Sequence, residues 1–213
     1  MPSTQKPPMS LLHLDASPRG NRSVSNTLAA EFVAAWKTHH PDKTVLHRDL
    51  GSNPPAPVSL DWVVGVFAPP EDQTEASRSA LAASDAYVEE FLAADLIVAA
   101  VPIYNLGVPA QFKAYIDQII RRGKTFGVSE QGYVPLVHGK KLLVTSASGG
   151  SFKLDGPAAA YNFHEPYLRA IFGFIGITDV TVIYADNQNT TEEAGEEGRA
   201  EARNIIADIA PLW

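Results

Sequence analysis

The strongest constraint on the fold is the run at 96–101, which is apolar at every position. A strand with two apolar faces is typical of a parallel sheet covered by helices on both sides. Pro102 follows, and proline cannot donate a hydrogen bond to a neighbouring strand, so the strand should end there. A short loop with Tyr104 and Asn105 comes next, and Pro109 favours the start of a helix. This order predicts an open α/β sheet with a binding site at the carboxyl edge of its strands.

Strand and helix patterns alternate along the rest of the chain. Short apolar runs bounded by turn residues predict strands, at 10–15, 44–50, 141–146 and 179–185. Apolar residues at helical spacing predict helices, at 24–40, 77–93, 109–123, 166–175 and 194–209. Together with the run at 96–101, these elements predict a doubly wound, five-stranded parallel sheet with helices on both faces and right-handed crossovers.

Two segments bear on how the elements end and join. The helix after Pro109 is predicted to end with Arg121 and Arg122, because cations favour a helix carboxyl end, and with Gly123 as a left-handed cap. The segment 51–70 is rich in proline around an apolar stretch, and it is predicted to be a long loop rather than a linker between domains. We therefore expect residues 1–213 to form a single domain, with residues 1–9 as a flexible tail.

Composition excludes several classes of function. The formal net charge is −7 and the isoelectric point is about 5.3, which disfavours nucleic acid or an anionic membrane as partner. The chain contains no cysteine, so redox chemistry would need a bound cofactor. No apolar run is long enough to cross a bilayer, and residues 1–8 lack the apolar centre of a signal peptide. A cytoplasmic location is the expectation.

The loop after the first strand, 16–26, suits a phosphate group. It combines three serines, Arg19, Arg22 and the start of a helix, and helix amides, hydroxyls and guanidinium groups all bind anions. The sequence has neither the dinucleotide nor the nucleoside-triphosphate glycine motif, so a monophosphate fits better. The alternative is an ordinary helix cap beside two solvated arginines.

Two more loops follow strands at the same predicted edge. The amides of 147–150 can approach a flat ring, such as a flavin, and stabilise negative charge on it. A plain glycine turn there, and an ordinary loop role for Tyr104 and Asn105, are the alternatives. His164 has the chemistry of a proton donor, although a single histidine is more often structural. The loop 186–189 is expected to be solvated.

Taken in order, these motifs resemble those of the flavin-dependent NAD(P)H azo- and quinone reductases, a family with a flavodoxin-like fold. The likeness rests on Ser17 with 23–26, on 101–106, on Gly149 and Gly150 with 155–157, and on 172–177. It implies a homodimer with one FMN per subunit, and hydride transfer from NADH or NADPH to a quinone or an azo compound. Two apolar segments without an evident place among the alternating strands and helices, 60–67 and 172–177, also favour a dimer contact.

The resemblance implies where FMN is held: the phosphate on the first loop, the ring against the second, and the polar edge of the ring on the third. The expected cofactor-binding residues are Ser17, Arg19, Ser23, Val24, Ser25, Pro102, Ile103, Tyr104, Asn105, Leu106, Ala147, Ser148, Gly149 and Gly150. No side chain is expected to be catalytic in its own right, because the flavin carries the chemistry.

Two positions depart from the family pattern. Ser148 stands where members often carry arginine, and Val128 stands where some have a tyrosine that closes the pocket from the partner subunit. Val128 and Phe174, which matches a pocket aromatic, are the expected substrate-binding residues. Two other functions remain compatible with a bound flavin: a one-electron carrier like flavodoxin, which an acidic chain also suits, and a regulatory module without turnover.

Overall fold

In a computed structural model, which describes residues 10–213, the strands form one large sheet and one hairpin. The strands are β1 Ser10–Asp15, β2 Thr44–Asp49, β3 Leu96–Ala100, β4 Phe126–Ser129, β5 Gly132–Pro135, β6 Lys141–Ala147 and β7 Asp179–Ala185. The large sheet is parallel throughout and has the order β2-β1-β3-β6-β7. This is the order of the flavodoxin-like doubly wound fold, so the predicted fold class is confirmed.

Six α-helices connect or cover these strands in the described part of the chain. They are α1 Val24–His39, α2 Leu60–Phe67, α3 Glu75–Ala93, α4 Ala110–Ile119, α5 Glu165–Ile175 and α6 Glu192–Ile209. α1 and α6 bury Phe32, Trp36 and Ile206 against one face of the sheet. α3, α4 and α5 cover the other face, where Phe91 and Phe172 are in the core. No helix within residues 10–213 is long and apolar enough to cross a membrane.

The central strand β3 confirms the reasoning from its apolar run, since every residue in it is buried. It pairs with β1 on one side and β6 on the other, so both of its faces and both of its edges are covered. The strand is one residue shorter than predicted, although the amide of Val101 still donates to the carbonyl of Thr145 at 3.0 Å. Because the strands are parallel, the loops that follow them open at one edge of the sheet.

Helix α4 ends earlier than predicted, at Ile119. Thr125 Oγ1 donates to the carbonyl of Ile119 at 2.8 Å and accepts from the amide of Arg121 at 2.8 Å, and so supplies the partners that the helix end needs. Gly123 has a φ of +76° but lies in the turn beyond the helix. Arg121 is buried rather than solvated, with its guanidinium 5.5 Å from the centre of the Trp62 ring.

Two elements were missed in the sequence. The apolar stretch within the proline-rich segment is the short helix α2, which packs on α3 rather than on the sheet. No element was predicted around Val128, but it lies in the hairpin of β4 and β5, opposite Tyr133. The segment 172–177 was expected to contribute to a dimer contact, but Phe172, Ile175 and Ile177 are core residues, so half of the segment is unavailable to a partner subunit. Residues 1–9, the predicted tail, lie outside the described residues.

Candidate functional site

A cleft lies at the carboxyl edge of the sheet, where the loops after β1, β3, β6 and β7 meet. Its lining residues are Ser17, Arg19, Ser23, Val24, Pro102, Ile103, Tyr104, Ala147, Ser148, Gly149, Gln188 and Asn189. All of these except Gln188 and Asn189 were predicted from the sequence as cofactor-binding residues. The three predicted loops therefore do converge, and a fourth loop joins them.

Ser23 organises the first loop. It is the N-cap of α1, and its Oγ accepts a hydrogen bond from the amide of Asn26 at 3.3 Å. The same Oγ lies 3.0 Å from Ser25 Oγ, and Ser25 is fully buried. Asn26 Nδ2 donates to the carbonyl of Ser17 at 3.4 Å, which ties the strand end to the helix start. The side chain of Ser25 therefore supports Ser23 and does not line the cleft.

The start of α1 also makes the cleft electropositive. The first intrahelical hydrogen bond runs from the amide of Thr27 to the carbonyl of Ser23 at 3.0 Å. The amides of Val24 and Ser25 precede it and so lack an intrahelical acceptor. They lie at the positive end of the helix dipole, and Arg19 lines the same cleft. Free amides, a hydroxyl and a guanidinium together form a site for a phosphate group.

The second loop is a tight turn with unusual backbone angles. Tyr104 and Gly107 exchange two backbone hydrogen bonds, of 3.0 and 3.1 Å, around Asn105 and Leu106. Both central residues have positive φ, +48° for Asn105 and +71° for Leu106. Asparagine tolerates this conformation well, whereas leucine adopts it rarely and at some cost. Strain of this kind is concentrated at binding sites, and this turn presents Tyr104 to the cleft.

The third loop depends on Ser148, which is buried. Its hydroxyl oxygen lies 2.7 Å from the carbonyl oxygen of Gly150 and 3.2 Å from Asp186 Oδ1, so its single proton is shared between these two acceptors. Ser151 Oγ donates to the other oxygen of the same carboxylate at 2.6 Å. Ser148 therefore shapes the loop through hydrogen bonds, and it provides no positive charge where family members often carry arginine.

The fourth loop, after β7, was expected to be solvated, and for Asp186 that expectation was wrong. Asp186 is only 4% exposed. The amide of Gln188 donates to the carbonyl of Ser148 at 2.9 Å, and that of Asn189 donates to Gly149 at 3.1 Å. A side chain on Gly149 would come within 3.1 Å of the Asn189 amide group, so these two loops fit closely. The sequence signal for this role is that 186–189 directly follows β7, so this loop lies at the same edge of the sheet as the other three.

The other predicted residues lie apart from the cleft lining. Asn105, Leu106 and Gly150 adjoin lining residues in sequence. Phe174 packs on the hairpin, with its ring centre 5.1 Å from that of Phe126 and 5.3 Å from that of Tyr133. Val128 is 53% exposed on the same hairpin. These two residues therefore belong to a surface formed by the hairpin and the end of α5, and neither lines the cleft.

His164 is placed as a structural residue. It is fully buried, and its Nε2 lies 2.9 Å from the carbonyl oxygen of Val101. Burial lowers the pKa of His164 to about 4, so the ring is neutral at pH 7 and Nε2–H donates to that carbonyl. It does not line the cleft. Its hydrogen bond holds the start of α5 to the end of β3.

Comparison with known proteins agrees with this geometry. The profile of the flavodoxin-like fold family matches residues 9–209. An FMN-dependent NADH:quinone oxidoreductase from Nostoc sp. is 49% identical over 204 residues, which cover 95% of this chain and 99% of the relative. A protein of the same name from Azotobacter vinelandii is 38% identical over 94% of this chain and 98% of its own length.

The crystal structure of an azoreductase from Bacillus anthracis superimposes with a TM-score of 0.89. It is 32% identical and covers 96% of this chain and 100% of its own. The chain belongs to the flavodoxin-fold family that includes the FMN-dependent NADH:quinone oxidoreductases and the azoreductases.

Proposed function

We propose that this protein is an FMN-dependent oxidoreductase that uses NADH to reduce quinones and azo compounds. The observation that carries the proposal is the cleft itself, where Ile103 and Gly149 form a wall beside the anion site at the start of α1. That combination fits a ring with a terminal phosphate. Relatives named as FMN-dependent NADH:quinone oxidoreductases favour an enzyme over an electron carrier or a regulatory module.

The chain's own residues fit FMN in three places. We propose that Ser17, Ser23, Arg19 and the first amides of α1 hold the phosphate, since hydrogen bonds to a charged group are the stronger ones. Ile103 and Tyr104 face the ring, and the amides of Gly149 and Gly150 serve its polar edge. FMN, once bound, would supply the hydride chemistry that no side chain in the chain can perform.

The backbone positions the donors around the ring before any ligand binds. The amide of Ile103 donates to the carbonyl of Ala147 at 2.9 Å, which joins the second loop to the third. Ser148 and Asp186 hold the glycine loop in one conformation. Preorganised amides aimed at an edge that gains negative charge favour reduction, because they need no rearrangement during the reaction. The protein contributes orientation and electrostatics, and water is displaced from the wall when the ring binds.

We propose that the protein acts as a homodimer and that the second subunit completes the pocket. The cleft volume is about 140 Å³, below the roughly 300–1,000 Å³ of sites that enclose a small ligand. An apolar surface also remains uncovered: Leu60 is 78% exposed, Phe67 70% and Tyr133 71%. Apolar patches of this kind mark protein contacts. An obligate contact of this sort would bury more than about 2,000 Å² in total.

Light scattering tests the dimer. A particle of twice the 22.9 kDa chain mass is expected at micromolar concentration. Phe67→Glu should weaken association, because it places a charge in the apolar contact, whereas Glu71→Gln, on the exposed segment that follows, should not. A monomer that retains full reductase activity would refute the proposal.

We propose a cytoplasmic location, because NADH, the proposed reductant, is supplied in the cytoplasm. Cell fractionation tests it, and recovery of the protein outside the cytoplasmic fraction would contradict it.

We further propose that residues 1–213 act as a single FMN-binding domain. Limited proteolysis of the FMN-loaded protein should leave one resistant core rather than two.

The central test of function is a spectrum of the purified protein followed by anaerobic addition of NADH. The flavin absorbance should bleach in a single two-electron step and return on addition of a quinone. FMN should bind more tightly than riboflavin, which lacks the phosphate. A carrier or regulatory module would bind FMN without consuming NADH, and equal affinity for riboflavin would overturn the phosphate assignment.

A further inference from the structure

We propose that His13, Asp15 and His47 form a binding site for a divalent transition-metal ion, with Zn²⁺ as the best match. His13 and His47 are paired in register on the neighbouring strands β1 and β2. Asp15 is two residues after His13, so its side chain lies on the same face of the sheet. The register of a parallel pair thus brings two imidazoles and one carboxylate together.

The distances between the three side chains suit a common ion. His13 Nε2 lies 3.1 Å from Asp15 Oδ1, and His47 Nε2 lies 2.9 Å from Asp15 Oδ2. One ligand atom from each residue can be chosen so that all three lie within 4.8 Å of one another. Two ligands held at about 2.0–2.1 Å in a tetrahedral zinc site are about 3.3 Å apart. Small side-chain rotations therefore bring the group to coordination geometry.

A second observation is that two of these atoms are buried without a hydrogen bond. His13 is 6% exposed, and neither its Nε2 nor Asp15 Oδ1 has a hydrogen-bond partner within residues 10–213. The two atoms are 3.1 Å apart, yet their orientation is not that of a hydrogen bond. A buried polar atom without a partner costs roughly 1–3 kcal/mol. An ion bound between them would satisfy both atoms.

The open side of the cluster faces a groove of about 530 Å³ between α1 and the edge strand β2. Asp15 and His47 are among the residues that line this groove, as are Asn26, Glu31 and Asp49. The groove leaves room for a water molecule as fourth ligand, as in zinc sites with three protein ligands. Imidazole ligands favour Zn²⁺ and related ions over Mg²⁺ and Ca²⁺, which prefer oxygen ligands alone.

The site adjoins the phosphate loop. Asp15 is followed closely by Ser17, and the carbonyl of Asp15 accepts from the amides of Leu50 and Gly51 at 2.8 and 3.0 Å. Asn26, in the groove wall, donates to the carbonyl of Ser17. An ion that joins β1 to β2 would stabilise this corner, and binding to the native state raises the unfolding temperature. The proposal does not depend on the reaction that the protein performs.

The test is isothermal titration of FMN-loaded, tag-free protein, stripped with EDTA, with Zn²⁺ and separately with Mg²⁺. The wild-type chain should bind about one Zn²⁺ and no Mg²⁺. His47→Ala should weaken Zn²⁺ binding by more than about 10-fold, since even outer contacts to a metal contribute 10- to 100-fold. His138→Ala is the matched control, because His138 is another exposed histidine outside the cluster.

His47 is half exposed, so its replacement should leave the fold intact, as circular dichroism and FMN content can verify. Visible absorption of Co²⁺ added in place of Zn²⁺ reports the geometry, and an intense tetrahedral band is expected for wild type and His138→Ala only. Equal Zn²⁺ binding by all three proteins, or no binding by the wild-type chain, would show that the cluster is only a His–Asp–His contact and would overturn the proposal.

Discussion

The hydroxyl of Tyr104 lies 3.1 Å from the Oγ of Ser17 and joins two loops that are far apart in the sequence. Tyr104 follows β3, Ser17 follows β1, and these strands are neighbours in the sheet. The contact spans the cleft between the proposed phosphate site and the proposed ring wall. It therefore links the two parts of the site that FMN would occupy.

Tyr104→Phe should weaken FMN binding about 2- to 10-fold, because a typical hydrogen bond contributes about 0.5–1.5 kcal/mol. The aromatic ring remains in the variant, so only the hydrogen bond to Ser17 is lost. Fluorescence titration of the apoprotein with FMN measures the change. Tyr161→Phe is the control, as Tyr161 is 58% exposed and does not line the cleft. An equal effect of both variants would contradict the assigned role.

Ser23→Ala should lower both the stability and the preference for FMN over riboflavin. Loss of an N-cap costs about 0.5–2 kcal/mol in the free energy of unfolding. Ser59→Ala is a matched control: Ser59 caps α2 by accepting from the amide of Trp62 at 3.2 Å, away from the cleft. Urea unfolding should show a loss in both variants, but only Ser23→Ala should bring FMN and riboflavin affinities closer together. If both variants changed the ratio of FMN to riboflavin affinity equally, Ser23 would be only a helix cap and not a phosphate ligand.

Steady-state kinetics should give parallel lines in double-reciprocal plots with NADH and a quinone. The reason is that donor and acceptor must reach the same face of one cleft and therefore use it in turn. Such ping-pong behaviour is typical of two half-reactions separated by release of the first product. Intersecting lines would mean that both substrates are bound together, which requires a second site for one of them.

Acidification should destabilise the protein through His164. Its pKa in the folded protein is about 4, below the ordinary value of 6.5, so the unfolded chain binds more protons between these values. The stabilising contribution is complete above pH 6.5 and is lost as the pH falls toward 4. At pH 5 the loss should be about 2 kcal/mol.

Urea unfolding of wild type and His164→Gln at pH 7 and pH 5 isolates this contribution, because glutamine does not titrate. The advantage of the wild-type chain should shrink as the pH falls. If the variant does not fold, the chemical shifts of the His164 ring give the pKa directly. A normal histidine titration near pH 6.5 would contradict the prediction.

Val128→Tyr should change the Michaelis constant for the acceptor while leaving FMN affinity nearly unchanged. Val128 is exposed on the hairpin and cross-strand from Tyr133, which contacts Phe174. A tyrosine there would extend this aromatic surface. Ser129→Tyr is the control, since adjacent residues of a strand point to opposite faces. If Val128→Tyr altered only flavin binding, the hairpin would have been assigned to the wrong part of the pocket.

Local patterns in the sequence were sufficient to predict the sheet and three of its loops. The apolar run of β3 signals burial on both faces, and that signal does not depend on any distant residue. The serines at the start of α1, Ser23 or Ser25, signal a cap in the same way, and in the structure Ser23 is the cap. Once the strands are parallel and alternate with helices, the loops after them must share an edge, so Ser17, Tyr104 and Gly149 were placed correctly without coordinates.

Contacts between distant segments were decided only by the tertiary structure. Thr125 ends α4 before Arg121, and Trp62 of α2 covers that arginine, but neither contact leaves a periodic pattern in the sequence. Asp186 is buried because two serines from another loop donate to it, while its own neighbours resemble a solvated turn. The register that sets His13 beside His47 likewise depends on how β1 meets β2. Hydrophobic periodicity reports local burial, whereas polar partners depend on strand order and register, which arise only when the whole sheet is assembled.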